Sequence, residues 1–288
     1  MTDLSVATIN LDNLGEWSHT TRFERLTEAV NTALKRPMII ALQEIGAFAE
    51  EENVNLDAPL PATIDKTLLD YLNSDQPLEA QYHYAEIAPK PFTTGGERNH
   101  HIRSAFLYRA PITLTELRTL GEDSPFFTGN TLEGKEALSP SRRPLHGIFD
   151  LNGTPLHLIN CHLKSMNAPT NDRKKIARRQ RNAQAEQIRQ DIQNHKNEPL
   201  MVLGDFNDLP QSKTIEILRD HQSLASIWND TPKPCYTYRY KNKPIVLDYI
   251  LYNHHLTLIE VSAPPLNTPH LSPTRFSDHD PVVATFTL

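Results

Sequence analysis

Short apolar strands that stop at an acidic, amide or histidine residue constrain this chain more than any other feature. Leu4–Ile9 runs into Asn10, Met38–Leu42 into Gln43-Glu44, Leu156–Cys161 into His162, and Leu200–Leu203 into Gly204-Asp205-Phe206-Asn207. A strand with an apolar body is buried, and a polar residue at its end places chemistry at the edge of a sheet. Further strands are expected at Ser104–Tyr108, Gly147–Leu151, Tyr236–Tyr240, Val246–Leu251 and Val282–Thr287. Helices are expected from about Thr21 to before Pro37, at Ile64–Leu72, over the basic stretch 172–196, and at Thr214–Arg219. In the basic helix, Ile176, Ala183, Ile188 and Ile192 are the expected inward positions. Residues 48–62 read as an acidic loop and 121–144, rich in Gly, Ser and Pro, as a long exposed insertion. Strands and helices do not alternate strictly, which argues for mixed sheets with helices outside rather than a doubly wound parallel sheet. The 288 residues contain no repeat or clear linker, so one α/β domain spanning 1–288 is the simpler reading.

Composition limits what that domain does. With 38% hydrophobic and 22% charged residues, the chain reads as a globular protein, and no apolar run approaches the ~20 residues of a membrane span. The start lacks a basic and then apolar leader pattern, and Cys161 and Cys235 make no disulfide framework. The default expectation is a cytoplasmic monomer without membrane contact. A formal net charge of −6 argues against tight non-specific binding to a polyanion. The basic charge is nonetheless concentrated, with Arg173, Lys174, Lys175, Arg178, Arg179 and Arg181 in one stretch that can face phosphates.

The strand-end residues suit a hard divalent cation, which prefers a few carboxylates together with water and substrate phosphate. Asn10, Asp12, Glu44, Asp205, Asn207, Asp248 and Asp278 are the candidates. Each also has a plain structural reading. Asn10, Asp12 and Gly204–Asp208 are good turn chemistry, Glu44 marks a solvent-exposed strand end, and 278–281 is loop-like. Asp248 differs, because a carboxylate inside Leu247-Asp248-Tyr249-Ile250-Leu251 is costly unless paired.

In order, these segments resemble the endonuclease/exonuclease/phosphatase superfamily, which includes pancreatic deoxyribonuclease and exonuclease III-type repair enzymes. The matching pieces are Thr8–Asn10, Leu42–Glu44, Asn160–Ser165, Gly204–Asp208, Leu247–Leu251 and Ser277–Pro281, with weaker support from Phe106–Arg109 and Ser141–Leu145. The resemblance implies a four-layered α/β sandwich of two packed mixed sheets flanked by helices, with a cleft along one edge. It implies Glu44 as principal metal ligand, with Asn10 and Asp278 completing one or two Mg²⁺ or Mn²⁺ positions and Asp12 a weaker candidate. Asp205 resembles the carboxylate that orients or deprotonates water, and Asn207 its phosphate-binding neighbour. His279 resembles the histidine on the scissile phosphate, with Asp248 holding its ring. His162 resembles a second phosphate-contacting histidine, and Arg142 the phosphate-binding arginine of a Ser-Arg-x-Pro motif. One departure is visible. The deoxyribonuclease branch has a glutamate supporting the second histidine, whereas this chain has His101-Ile102 there, with Glu97 nearby.

The resemblance is strongest to bacterial deoxyribonuclease-like members. The chain lacks the Pro-Ala-Trp-Cys-Asp-Arg-like run of inositol phosphatases, and the leader and exposed aromatics of secreted sphingomyelinases are not evident. The expectation is therefore a phosphodiesterase on DNA or another nucleic acid. The alternatives are a phosphomonoesterase on a small molecule, which the −6 charge suits, and a non-catalytic binding module, which the chemically competent residues speak against.

Overall fold

The computed structural model describes residues 3–97, 99–129, 138–220, 223–229, 235–268 and 275–288. In chain order its strands are β1 (Asp3–Leu14), β2 (Ile39–Phe48), β3 (His83–Glu86), β4 (His100–Tyr108), β5 (Ile112–Thr119), β6 (Leu145–Leu151), β7 (Thr154–His162), β8 (Leu200–Asp205), β9 (Ala225–Ser226), β10 (Tyr238–Tyr240), β11 (Lys243–Ile245), β12 (Asp248–Tyr252), β13 (Thr257–Ser262) and β14 (Val282–Thr287). The helices are α1 (Thr20–Asn31), α2 (Asp65–Asn73), α3 (Pro125–Thr128), α4 (Asn171–Asn194) and α5 (Lys213–Leu218).

The central strands are apolar on both faces because each face belongs to a different core. Val6, Ile39, Ala41 and Phe106 pack between the sheets with Phe149, Leu158, Leu203 and Ile250. Their neighbours Ala7, Ile9, Ile40 and Leu42 pack with Phe23, Leu26 and Val30 of α1 and with Leu68 and Leu72 of α2. On the other side, Ile159, Cys161, Leu200 and Val202 meet Ala185, Ile188 and Ile192 of α4 and Ile215 and Leu218 of α5. The period-two alternation of strand side chains thus builds three apolar layers between four layers of backbone. One six-stranded sheet has the order β13-β14-β1-β2-β4-β3, the other β5-β6-β7-β8-β12-β9, and β10-β11 form a separate ribbon. This is the expected sandwich of two mixed sheets flanked by helices.

Each sheet has one parallel pair, β1 with β2 and β7 with β8, and a parallel neighbour requires a crossover. The helices α1 and α4 lie within those crossovers. The Thr170 hydroxyl accepts from Arg173 N and starts α4, as Ser212 does for Ile215 N in α5. A buried polar bridge joins the sheets near the ends of these pairs. Gln43 Nε2 donates to Asn160 Oδ1 at 2.7 Å, and Asn160 Nδ2 donates to Leu42 O and Ala105 O.

Two expectations are corrected. The stretch 121–144 is not an exposed insertion throughout, although 130–137 lie outside the described residues. Phe127 of α3 is fully buried, and Ser141 and Arg142 are buried as well, with Ser141 N donating to Phe127 O at 2.9 Å. Gly129, with φ 78°, lies against Pro140, so the two described ends of the stretch meet. In α4, Ile176 and Ala183 are only half-buried. The buried stripe of its first half runs through Ala177, Gln180, Arg181 and Gln184, because it covers polar carbonyls and Asp208 rather than apolar core. Among the described residues no helix is long and apolar enough to cross a membrane.

Candidate active site

The C-terminal ends of both parallel pairs meet on one edge of the sandwich. Asn10 is paired in register with Gln43, His162 with Asp205, and Asp205 with Asp248. Backbone irregularities then aim the side chains. The β1–β2 register shifts between Asn10 and Leu14, and the β2–β4 register between Leu42 and Ile45. Asp12, Asn13 and Glu44 lie in these bulges with φ of 46°, 54° and 57°. Such left-handed non-glycine residues cost on the order of 1 kcal/mol or more each and gather where function re-aims a side chain. Gly204 has φ 131°, and a Cβ there would lie 2.0 Å from Cys161 O. Glycine is therefore required beside Asp205 for β7 and β8 to approach.

Asp205, 2% exposed, is held by three donors. Asn10 Nδ2 donates to Oδ2 at 3.1 Å, Asn207 N to Oδ1 at 2.8 Å and Asn207 Nδ2 to Oδ2 at 3.0 Å. Asn10 Nδ2 also reaches Glu44 Oε1 at 3.3 Å, and Asn13 N donates to Glu44 Oε2 at 3.1 Å. Asn207 Nδ2 gives its other hydrogen to Leu163 O at 3.2 Å. In this arrangement Asn207 orients Asp205, and it reaches a phosphate only by exchanging one of those bonds.

His279 Nδ1 lies 2.8 Å from Asp248 Oδ2, with both side chains buried. Its Nε2 is 4.0 Å from Asp278 Oδ1. Burial opposes the imidazolium, but Asp248, then Asp205 and Asp278, outweigh it and hold the His279 pKa well above the usual histidine range. Burial pushes the Asp205 carboxyl up to about 7, with Asp248 and Glu44 adding repulsion against the opposing pull of His279. Burial likewise raises Asp278 to about 6, with Asp12 and Glu44 adding to it. His162 Nε2 is 3.5 Å from both Glu44 Oε1 and Asp205 Oδ2. Burial, then Arg142, His279 and Lys164, push its pKa well below the ordinary value, so its ring is neutral. Arg142 Nη2 donates to Leu163 O at 2.8 Å while its buried Nε has no partner.

These groups surround a cleft of about 620 Å³ whose lining includes Glu44, Arg142, His162, Lys164, Asp205, Asn207, Asp278 and His279. Asn13 lines it as well; Asn10 is buried and Asp12 half-buried, and neither is part of the lining. The glutamate support that the deoxyribonuclease branch gives its second histidine has no counterpart here, and the buried His162 Nδ1 has no hydrogen-bond partner among the described residues. His101 turns to Phe92 N and Ala49 O, Glu97 pairs with His100 at 3.2 Å, and Glu44 and Asp205 themselves face the His162 ring.

The chain's sequence matches the pattern of the Endonuclease/Exonuclease/phosphatase family over residues 7–279. The chain belongs to that family. Its members are typically metal-dependent phosphoester hydrolases, nucleases and phosphodiesterases among them. Solved structures of family members share the fold at low identity. One is a family protein from Bacteroides thetaiotaomicron, 15% identical with a TM-score of 0.66, covering 99% of this chain and 97% of that one. Another is the human Nocturnin catalytic domain with bound sulfate, 21% identical with a TM-score of 0.64, covering 99% and 94%. A third is D. rerio TDP2 complexed with single-strand DNA product, 16% identical with a TM-score of 0.63, covering all of both chains. No curated protein sequence matches the chain.

The donor set fits the divalent cation such a family member uses. Glu44, His162 and Asp205 each place one ligand atom within 4.8 Å of the others, and Asp205, Asp248 and His279 form a second such group. Crowded carboxylates at the first group, with Asp278 beside them, are an oxygen-rich site that a hard cation would neutralise.

Several supporting residues were assigned no role from the sequence, Arg22, Thr237 and Tyr238 lying outside the matching pieces altogether. Arg22 of α1 donates to Leu11 O, Asp12 O and Phe276 O, bracing the two loops that carry Asp12 and Asp278. Thr237 Oγ1 accepts from Leu247 N and Asp248 N, and Ser277 Oγ donates to Asn10 O at 2.7 Å. The Tyr238 ring lies 4.7 Å from that of His279. Lys164 lines the cleft, and burial, then Arg142, lower its pKa to about 8. Of the basic stretch, Lys174 lines the cleft, but Arg181 is buried against Asp208 and serves the fold.

Proposed function

We propose that the chain is a divalent-metal-dependent phosphodiesterase that hydrolyses nucleic acid, DNA most of all, by in-line attack of water on phosphorus. The observation that carries the reading is the convergence of Asp205, held by three donors, and the Asp248-braced His279 on one cleft with Glu44. A cation held by Glu44 and Asp278, with Asn10 and Asp12 beside them, would polarise the phosphoryl oxygen and favour deprotonation of nearby water.

The protein's own groups supply the rest. Asp205 accepts the proton of the attacking water, its carboxylate held in place by Asn10 and Asn207. His279, kept cationic by Asp248, donates from Nε2 to the phosphoryl oxygens as charge grows on them. Neutral His162 and buried Arg142 offer donors to the same phosphate from the opposite sheet. Lys174 and Lys164 extend positive charge along the cleft, where a polymer has further phosphates.

The test is a substrate panel with Mg²⁺ or Mn²⁺ containing duplex and single-stranded DNA, RNA, abasic DNA and small phosphomonoesters. Cleavage of DNA without release of inorganic phosphate from the monoesters supports the proposal. Phosphate release from small monoesters with intact nucleic acid overturns it in favour of a phosphomonoesterase.

A further inference from the structure

Three histidines meet at the end of the second sheet remote from the cleft. His146 of β6, His157 of β7 and His195, which follows α4, each place one ring nitrogen within 4.8 Å of the others. His157 and the cleft residue His162 are five positions apart on β7, a separation of roughly 16 Å along a strand.

We propose that this cluster is a second metal site, structural in role, for a borderline transition ion of the Zn²⁺ class. The ring spacing is the first support. His146 Nε2 and His157 Nδ1 are 3.1 Å apart. Two nitrogens each ~2.0–2.1 Å from a tetrahedral ion lie about 3.3 Å from one another. A nitrogen set suits Zn²⁺ and its neighbours and is a poor match for Mg²⁺ or Ca²⁺.

The outer partners are the second support. Metal-bound histidines usually donate their far N–H to a carboxylate, which fixes tautomer and orientation. Here His146 Nδ1 is 2.9 Å from Asp191 Oδ2, and His157 Nε2 is 2.8 Å from Glu198 Oε2. His195 Nδ1 faces the same Glu198 oxygen at 3.7 Å.

Without an ion the hydrogen bonds conflict. His146 Nδ1 is 2.9 Å from Arg118 Nη2, which only donates, and 2.9 Å from the ionised Asp191, which only accepts. One ring nitrogen cannot serve both. An ion on the lone pairs of His146 Nε2 and His157 Nδ1 fixes the tautomers, with Arg118 Nη2 giving up both His146 Nδ1 and His195 Nε2, which lies 3.3 Å from it and becomes the third ligand. It leaves His146 Nδ1–H to donate to Asp191 and His157 Nε2–H to donate to Glu198. Arg118, partly exposed, keeps its 2.6 Å bond to Asp191 Oδ1. The ion would pin the C-terminal end of α4 to β6 and β7.

The test uses the full chain, stripped with chelator and held in millimolar Mg²⁺ so that hard-cation sites are filled. Co²⁺ is then added, followed by Zn²⁺. The expected result is one equivalent of Co²⁺ with the visible absorption of a tetrahedral site, displaced by Zn²⁺ with a rise in Tm. Glu198→Gln should weaken binding about 10- to 100-fold, and His195→Ala should remove it. If His195→Ala fails to fold, the wild-type spectrum and Glu198→Gln decide. No tetrahedral Co²⁺ signal in the wild type, or unchanged affinity in Glu198→Gln, overturns the proposal.

Discussion

Removing the divalent cation and changing pH together probe the charge balance of the cleft. Asp205 and Asp278 are raised from 3.8 to about 7 and about 6. In the cation-free fold each carboxyl prefers its proton, so its contribution to stability is present at low pH and lost as pH rises through the raised value. A cation reverses this preference by competing with the proton. Each pH unit below the raised value costs up to ~10-fold in cation affinity. From about pH 8 down to about pH 5, Asp205 alone can then account for ~100-fold and Asp278 for a further ~10-fold. Mutual coupling makes the product an upper limit. At an Mg²⁺ concentration that keeps the site saturated at both pH values the stabilisation should therefore shrink by up to ~4 kcal/mol over this range, since every ~10-fold in affinity is then ~1.4 kcal/mol. The assay is thermal or urea unfolding followed by the fluorescence of Trp17 and Trp228, with Mg²⁺ or chelator, at both pH values. His157 and His162 have lowered pKa values and weaken the fold below about pH 6.5 in both conditions. The difference between Mg²⁺ and chelator removes most of their effect. An Mg²⁺-linked gain that is equal at both pH values, or larger at the lower one, would refute the reasoning.

Other substitutions test single contacts. Asp248→Asn removes the charge that outweighs burial at His279, so its imidazolium is lost at lower pH. The specific activity near pH 8 should fall ~100-fold and recover in part on acidification, which a pH–rate profile against wild type checks; a profile parallel to wild type contradicts it. Gly204→Ala sets a Cβ against Cys161 O at a φ of 131° and should destabilise the protein by ~3 kcal/mol, read as a drop in Tm; an unchanged Tm contradicts the close approach. Lys174→Glu should weaken nucleic-acid binding and lower the salt slope by about 0.9 for a lost phosphate contact. Lys175→Glu, at a position paired with Asp172 on the exposed face, should leave the slope unchanged, and equal effects in both would show that the cleft does not track the backbone.

The sandwich was legible because strands buried on both faces are apolar at nearly every position, and their polar ends stand out against that background. Asp248 announced its pairing for the same reason. Other features depend on backbone geometry that composition does not encode. The bulges that turn Glu44 and Asp12 carry no glycine at those positions, and the buried course of Ser141-Arg142 follows from Phe127 packing behind a stretch that reads as loop. Arg22 looks like any charged residue of an amphipathic helix, yet it joins the backbone at Leu11 and Asp12 to that at Phe276, more than 250 positions away in sequence. The two amide hydrogens of Asn207 show the limit of role assignment by motif. The residue type matches a phosphate binder, while its contacts in this fold are to Asp205 and Leu163 O. The histidine cluster went unread because its members are widely separated in sequence and come together only when α4 packs on β6 and β7.

The central claim is that one cleft hydrolyses phosphoester bonds with Asp205 as base and His279 as the cationic donor. Its most direct measurement is the rate of DNA hydrolysis under saturating Mg²⁺ for the wild type, Asp205→Asn and His279→Ala, with a chelated wild-type control. Each substitution should lower the rate by ~10²- to 10³-fold or more, and chelation should abolish it. Near-wild-type rates in both variants, or activity that survives thorough chelation, would contradict the account.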